Sequence, residues 1–185
     1  MKKRQIVTVL LILFSLILIF LFLAELTAPY RRTQRELQYL DAARRAAAEW
    51  DVPVAMVMAV IRTESDFCPD AISAAGACGL MQLMPETFRH LQQDRLNEQL
   101  PDNAIFDPAV NLRYGTYYLA YLFERFDNWQ VALAAYNAGE GRVTDWLADP
   151  ALSQDGVLLH IPFAETHHYV TNTLSAFEAY REKYK

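Results

Sequence analysis

The sequence predicts a mostly α-helical domain of ~150 residues behind one membrane-spanning helix. Three observations predict it. The first is an apolar stretch of 19 residues, Ile6 to Ala24, interrupted only by Thr8 and Ser15. The second is a series of downstream segments whose apolar side chains recur every three or four positions, the spacing of a helix face. The third is that nothing alternates with a period of two for long, and no internal repeat or low-complexity tract is present. A chain of 185 residues suffices for one such domain plus an appendage.

At 1.5 Å per residue, the Ile6–Ala24 run makes a helix of roughly 28 Å, close to the hydrocarbon thickness of a bilayer. The basic flank Met1-Lys2-Lys3-Arg4 keeps the N-terminus in the cytoplasm and sends the rest of the chain outside. Residues 1–26 are therefore expected to be a cytoplasmic stub and a retained signal anchor of a single-pass membrane protein. A cleaved signal peptide has a shorter apolar region, ~7–15 residues, ending in a small-x-small site. Ala24 and Ala28 make a poor one, and Pro29 follows directly; no Cys follows the run, which excludes a lipid-anchored N-terminus. A buried core helix seldom runs this long without charge.

Residues 27–40 are expected to be a juxtamembrane linker and helix start, since Thr27 to Gln34 is polar and holds Pro29. Residues 41–185 are expected to be the outer domain. Arg35 to Trp50 carries Leu37, Leu40, Ala43 and Ala47 at helical spacing. Pro53 suits the first turn of a second helix whose apolar body is Val54 to Thr63. Cys68 to Gly79, rich in Gly, Ala, Ser and Pro, reads as a structured loop. Leu80 to Gln93 is helical again, begun or interrupted at Pro85, and Leu100 to Pro108 is a loop. Ala109 to Phe126 shows the stripe Val110, Tyr114, Tyr117, Tyr118, Tyr121, Leu122. Gln130 to Tyr136 is helical and stops near Gly139. Arg142 to Leu147 is a short helix, and Thr166 to Tyr184 is a long one repeating Val170, Leu174 and Phe177.

Without Lys2, Lys3, Arg4 and Glu25, the outer part holds 14 basic and 21 acidic residues, a net charge of about −7. That excludes a nucleic-acid partner, whose phosphates need a basic surface, and argues against electrostatic capture of an anionic polymer. A carbohydrate held by hydrogen bonds and aromatic stacking remains open. Cys68 and Cys78, ten positions apart, can close a small loop by a disulfide outside the membrane, or can be two inert small residues. Two thiols with no neighbouring His are too few ligands for a metal.

Glu64 closes the apolar segment Ala55-Met56-Val57-Met58-Ala59-Val60-Ile61. Desolvation there disfavours the charged carboxylate and raises its pKa, as a general acid working near neutrality requires. On position alone it can equally be a solvated helix-end residue. The surroundings decide. ESDFCPDAISAAGACGLMQLMPET runs from Glu64 to Thr87, followed by AYNAG at 135–139 and IPFAET at 161–166. In these three ordered motifs, over about residues 45–180, the chain resembles the lytic transglycosylase catalytic domain of the soluble-lytic-transglycosylase type, which has the lysozyme-like fold.

The resemblance implies that Glu64 is the catalytic acid/base, and that Ser73 lies near the reacting sugar and its N-acetyl group. It implies that Gln82 and Met84 line a glycan groove, that Tyr136 faces the glutamate with Asn137 beside it, and that Glu165 is a second acid in the groove. Other roles stay open for each. Ser73 can cap the turn before Gly76, Met81 and Met84 can fill the core, Tyr136 can be one more core aromatic, and Glu165 can charge the first turn of the final helix. Departures from the family pattern are Cys68, where asparagine is frequent, and His167, where arginine is common.

Ordinary glycosidases use two carboxylates, but Asp66 and Asp70, the nearest to Glu64, have no motif support as partners. The resemblance implies another route. Glu64 protonates the oxygen between N-acetylmuramic acid and N-acetylglucosamine. As a carboxylate it then takes the proton of the muramyl C6 hydroxyl, which attacks C1 and leaves a 1,6-anhydromuramyl end. The partner implied is peptidoglycan, no metal or organic cofactor is implied, and the sequence names no protein partner. The competing functions are a hydrolytic muramidase of the same fold and a membrane-tethered module that binds glycan without cutting it.

Overall fold

A computed structural model of the chain describes residues 3–184. It divides into two units, Met1–Gln38 and Tyr39–Lys185. The basic flank expected at Met1-Lys2-Lys3-Arg4 lies outside the described residues, wholly for Met1 and Lys2 and in its side chains for Lys3 and Arg4.

Helix α1 (Lys3–Glu49) accounts for the first unit and enters the second. Its described apolar side chains from Val9 to Leu23 are exposed. Among the described residues, however, no helix is long and apolar enough to cross a membrane, so the expected membrane-spanning helix is not shown. The described side chains of the predicted run begin at Thr8, and beyond Ala24 the same helix takes in Arg31, Arg32 and Arg35. The expected linker at 27–34 is also corrected: it is helical. Thr27 Oγ1 donates back to the Leu23 carbonyl at 3.0 Å and receives a hydrogen bond from Arg31 Nη2 at 2.7 Å, contacts one turn apart that favour continuation.

The second unit is built around α2 (Val54–Ser65). Met56, Val57, Met58, Ala59, Val60 and Ile61 have no solvent exposure. A helix apolar on every face is stable only where other elements surround it. Here α7 (Ala164–Lys183) packs along it, α5 (Trp129–Ala138) packs on α7, and α4 (Pro108–Phe126) and α6 (Glu140–Ala148) pack on α5. Ala43, Ala46 and Ala47 of α1 join the same core, where small side chains permit close approach. The helix starts follow the capping rules: Asp107 accepts from the Ala109 and Val110 amides, and Asn128 accepts from Val131. The α5 C-cap is Gly139 at φ 92°, as its glycine predicts.

A smaller apolar cluster of Cys78, Leu83, Phe88, Leu91, Ile105 and Tyr114 supports the loop after α2. Helix α3 (Pro85–His90) leads into a π-helical turn at Leu91–Leu96, and a 3-10 turn covers Asp102–Phe106, where a loop was expected. Buried Asn111 ties these pieces together. Its amide donates to the Cys78 and Ile105 carbonyls at 3.0 and 2.8 Å and its oxygen accepts from the Met81 amide at 2.8 Å. Gly79, at φ 79°, has no room for a side chain, since a Cβ would come 2.7 Å from Asn111 Cγ.

Two strands that the sequence reading lacked, β1 (Ser153–Gln154) and β2 (Val157–Leu158), form an antiparallel hairpin. Asp155-Gly156 supplies its turn, with φ 51° and 78°. The dipeptide Asp-Gly was the available signal. The disulfide expected between Cys68 and Cys78 is corrected: both are free thiols. Cys78 is held elsewhere, its backbone bridged to Ile72 and Leu83 and its side chain buried in the smaller cluster, with Sγ donating to the Gly76 carbonyl at 3.3 Å.

Candidate active site

Glu64 sits in the last turn of α2, where the fully buried body of the helix gives way to the Asp66 C-cap. It keeps part of its surface open. Desolvation nevertheless pushes its carboxyl up to about 8, far above the usual carboxylate range. Two neighbours modify this. The Tyr169 hydroxyl lowers the value and the negative charge of Glu165 raises it further. At neutral pH the group therefore holds its proton.

Two tyrosines from different helices are coupled electrostatically to this carboxyl. Tyr136, from α5, donates to the Met81 carbonyl at 2.8 Å. Burial, and then the Glu64 charge, hold its hydroxyl well above the usual tyrosine range. Tyr169, from α7, is held equally high by the same two causes, and its buried hydroxyl has no hydrogen bond of good geometry. It lies close enough to Glu64 to act on it without a well-formed bond. Tyr169 stands beside the Val170, Leu174 and Phe177 stripe and outside the three motifs. The available signal was its spacing: it stands four residues after Glu165, on the same face of α7.

The segment after α2 is fixed to the helix end that carries Glu64. Ser65 Oγ donates to the Leu80 carbonyl at 2.8 Å. Gln82, at φ 49°, donates from Nε2 to the Ala71 and Gly79 carbonyls at 3.1 and 2.9 Å. Its side chain thus braces the loop and also lines a recess of 230 Å³ with Met84, Thr87, Tyr118, Tyr136 and Asn137. Met84 is 40% exposed, which answers the core-filler reading, while Met81 is fully buried. Tyr118 stacks at a tilt on Tyr136, centroids 5.3 Å apart, and burial raises its hydroxyl to about 12.

Ser73 and Glu165 are less committed to that recess. Ser73 Oγ accepts from the Ala77 amide at 3.0 Å, capping the turn before Gly76, and the residue is exposed. Glu165 is exposed in the first turn of α7, where its charge suits the helix end and also reaches Glu64. The structure therefore brings together Glu64, Tyr136 and Glu165 electrostatically, and Gln82, Met84, Tyr136 and Asn137 around one recess. Larger hollows of 490 Å³ beside Arg62 and 600 Å³ beside Trp50 contain none of the predicted residues. Among the described residues, no group of three or more His, Cys, Asp or Glu could hold a metal ion.

An apolar-shielded acid whose charge acts on Tyr136, a residue that also lines the recess, is suited to donating a proton to a bound ether oxygen. Comparisons with known proteins give the family. Residues 41–155 match the model of the transglycosylase SLT domain. The chain is 39% identical over 148 residues to the soluble lytic murein transglycosylase of Escherichia coli K12, covering 78% of this chain and 23% of that protein. It is 29% identical over 178 residues to membrane-bound lytic murein transglycosylase C of Klebsiella pneumoniae, covering 84% and 49%. The crystal structure of the 70 kDa soluble lytic transglycosylase from E. coli superposes with a TM-score of 0.69 at 36% identity, over 78% of this chain and 24% of that one. The chain thus spans about a quarter of the length of the soluble relatives and half that of the membrane-bound one.

Proposed function

Because the chain belongs to the transglycosylase SLT family, we propose that residues 41–185 form a peptidoglycan lytic transglycosylase, cutting the β-1,4 bond between N-acetylmuramic acid and N-acetylglucosamine. The observation that carries this reading is the Glu64 carboxyl, held protonated near neutrality by burial at the end of an apolar helix. Protonated, it donates to the glycosidic oxygen as that bond breaks. Deprotonated, it accepts the proton of the muramyl C6 hydroxyl as that oxygen bonds to C1, giving the 1,6-anhydro end. An intramolecular nucleophile has a high effective concentration, so no second carboxylate is required to activate water.

Gln82, Met84, Tyr136 and Asn137 line the recess that would hold the glycan. Ser73 and Glu165 are assigned to its edge, with Ser73 keeping its hydroxyl proton free to donate while its oxygen caps the turn. Digestion of purified sacculi tests the reading. Released muropeptides lighter by one water than reducing-end products are expected. Reducing-end products would establish the hydrolytic muramidase instead, and absence of cleavage would leave a glycan-binding module.

Residues 1–26 are assigned as a retained single-pass anchor that holds the domain on the outer, extracytoplasmic face of the cell membrane, with 27–40 joining the two. Support comes from the run Ile6 to Ala24 and from the exposure of every large apolar side chain from Val9 to Leu23. A charged residue at the centre of a spanning helix costs ~2.5–3.5 kcal/mol. Full-length protein should therefore float with lipid vesicles, and Leu16→Arg should weaken that association. Full-length protein remaining in the aqueous phase would refute the anchor.

A further inference from the structure

The recess beside Tyr136 does not end there. Met84, Thr87 and Tyr118 also line a second hollow of 340 Å³, whose far wall carries Arg95, Tyr121 and Glu140. Two arginines near this wall have different commitments. Arg125 is bound to Glu140, Nη1 to Oε2 at 3.0 Å, and also donates to the Tyr121 hydroxyl at 3.3 Å. Tyr121 in turn donates to the same Glu140 oxygen at 3.0 Å. This fixes the Tyr121 ring and pairs the Glu140 charge.

Arg95 lies over that ring, its guanidinium carbon 4.6 Å from the centroid. Among the described residues, no carboxylate pairs with it. Stacking sets the plane of a guanidinium and leaves its N–H edge for a ligand. The turn that carries Arg95 is also held. Buried Gln92 accepts the Leu100 amide at 2.6 Å through its side chain, and the Glu98 amide at 2.9 Å through its carbonyl. On a chain of net charge −5, this is a cation on a held turn that pairs with no anion among the described residues, in a hollow sharing Met84, Thr87 and Tyr118 with the recess beside Tyr136.

A neutral sugar does not need such a group, whereas a carboxylate matches its planar fork with two parallel hydrogen bonds. We propose that Arg95 on its Tyr121 platform is a specificity subsite for a carboxylate carried by the lactyl ether of a muramyl residue, either the lactyl carboxylate itself or one on an attached peptide. The inference rests on the peptidoglycan reading of the Glu64 site. Glu140 does not oppose it, because Arg125 already neutralises that carboxylate.

Binding in a Glu64→Gln background tests the subsite without cleavage. Three ligands separate the sources: glycan strands bearing peptides, the same strands after amidase treatment, and a chitin oligosaccharide, which has no lactyl group. Arg95→Ala should weaken binding of at least one of the first two about tenfold and leave the chitin oligosaccharide within about twofold. Arg95→Lys should recover only part of the loss, because an ammonium lacks the fork. The strand that shows the loss identifies the carboxylate. An equal loss on all three ligands, or none on either strand, would overturn the subsite. If native enzyme still releases anhydro products in that case, the subsite fails and the activity stands; if no strand is bound or cut, both fail.

Discussion

Glu64 and Glu98 each sit beside a tyrosine hydroxyl, and their proton affinities move in opposite directions. The Tyr114 hydroxyl donates to Glu98 Oε2 at 2.6 Å, and Arg113 binds the same carboxylate at 2.8 and 3.0 Å. Those hydrogen bonds, led by Tyr114, hold Glu98 below the usual carboxylate range against a smaller opposing effect of burial. Glu64 has a tyrosine that acts in the same direction, yet desolvation dominates and lifts it to about 8. The tyrosine alone therefore does not decide the protonation state. What decides it is the weight of burial: at Glu98 the Tyr114 hydrogen bond, followed by Arg113, outweighs it, whereas at Glu64 burial outweighs Tyr169 and Glu165 adds to it. One arrangement staples a surface loop, and the other keeps an acid ready.

The largest expected effect breaks the contrast at Glu64. Glu64→Gln removes the transferable proton and should lower the rate of anhydro-product release ~10³-fold, within the range for a general acid. It should also stabilise the fold. A carboxyl whose folded pKa is raised to about 8 keeps its contribution below the unfolded value, near 4.3, and loses it as pH rises toward the folded value. The unfolding free energies of native protein and variant should converge below that range and diverge up to pH 8, by an amount on the order of a few kcal/mol. A native protein whose relative stability is flat from pH 4 to 8 would contradict the raised pKa.

A smaller effect sharpens the comparison. Tyr169→Phe removes the group that lowers Glu64, so the carboxyl pKa rises further and the alkaline limb of the pH–rate profile should shift upward. The rate should fall about tenfold, because the carboxylate then becomes a poorer leaving state for the proton it donates. Stability should change little, since the lost hydroxyl is buried without a well-formed hydrogen bond. An unchanged profile would assign Tyr169 to packing alone.

Much of this was legible in the chain. Helices α2, α4, α5 and α7 were readable because their apolar stripes and the Gly139 stop are local signals, while the Asp107 and Asn128 caps that begin α4 and α5 were not used. The motifs singled out Glu64, Gln82, Met84, Tyr136 and Asn137, and the fold places the last four around one recess; their roles are the proposal. The Cys68–Cys78 bridge misled because spacing carries no information on the β-bridges that hold Cys78 toward Leu83 and Ile72. The segment at 27–34 misled because Pro29 outweighed its helix-forming neighbours in the reading. The contacts of Tyr169 and Arg95 were illegible because their partners, Glu64 and Tyr121, lie far away in sequence. The brace at Asn111 was hidden for the same reason, with acceptors and donors drawn from Cys78, Met81 and Ile105.

The smallest expected effect tests the other half of the comparison. Glu98→Gln keeps the shape of the side chain and removes the charge that Arg113 and Tyr114 bind. Glu98 is about one-third exposed at its side chain, so solvent screening limits the loss to ~1 kcal/mol or less at pH 7. Its folded pKa is lowered, so its stabilising contribution is present above the unfolded value and lost as pH falls through the folded one. Melting curves of native protein and variant should therefore differ at pH 7 and converge in acid, whereas the Glu64 pair diverges as pH rises. Glycan cleavage should be unaffected, because Arg113 still pairs with Glu49 at 2.8 Å and Tyr114 stays buried among Phe88 and Leu83. A loss of cleavage with intact stability would mean that the Glu98 loop, which also carries Arg95, reports to the active site.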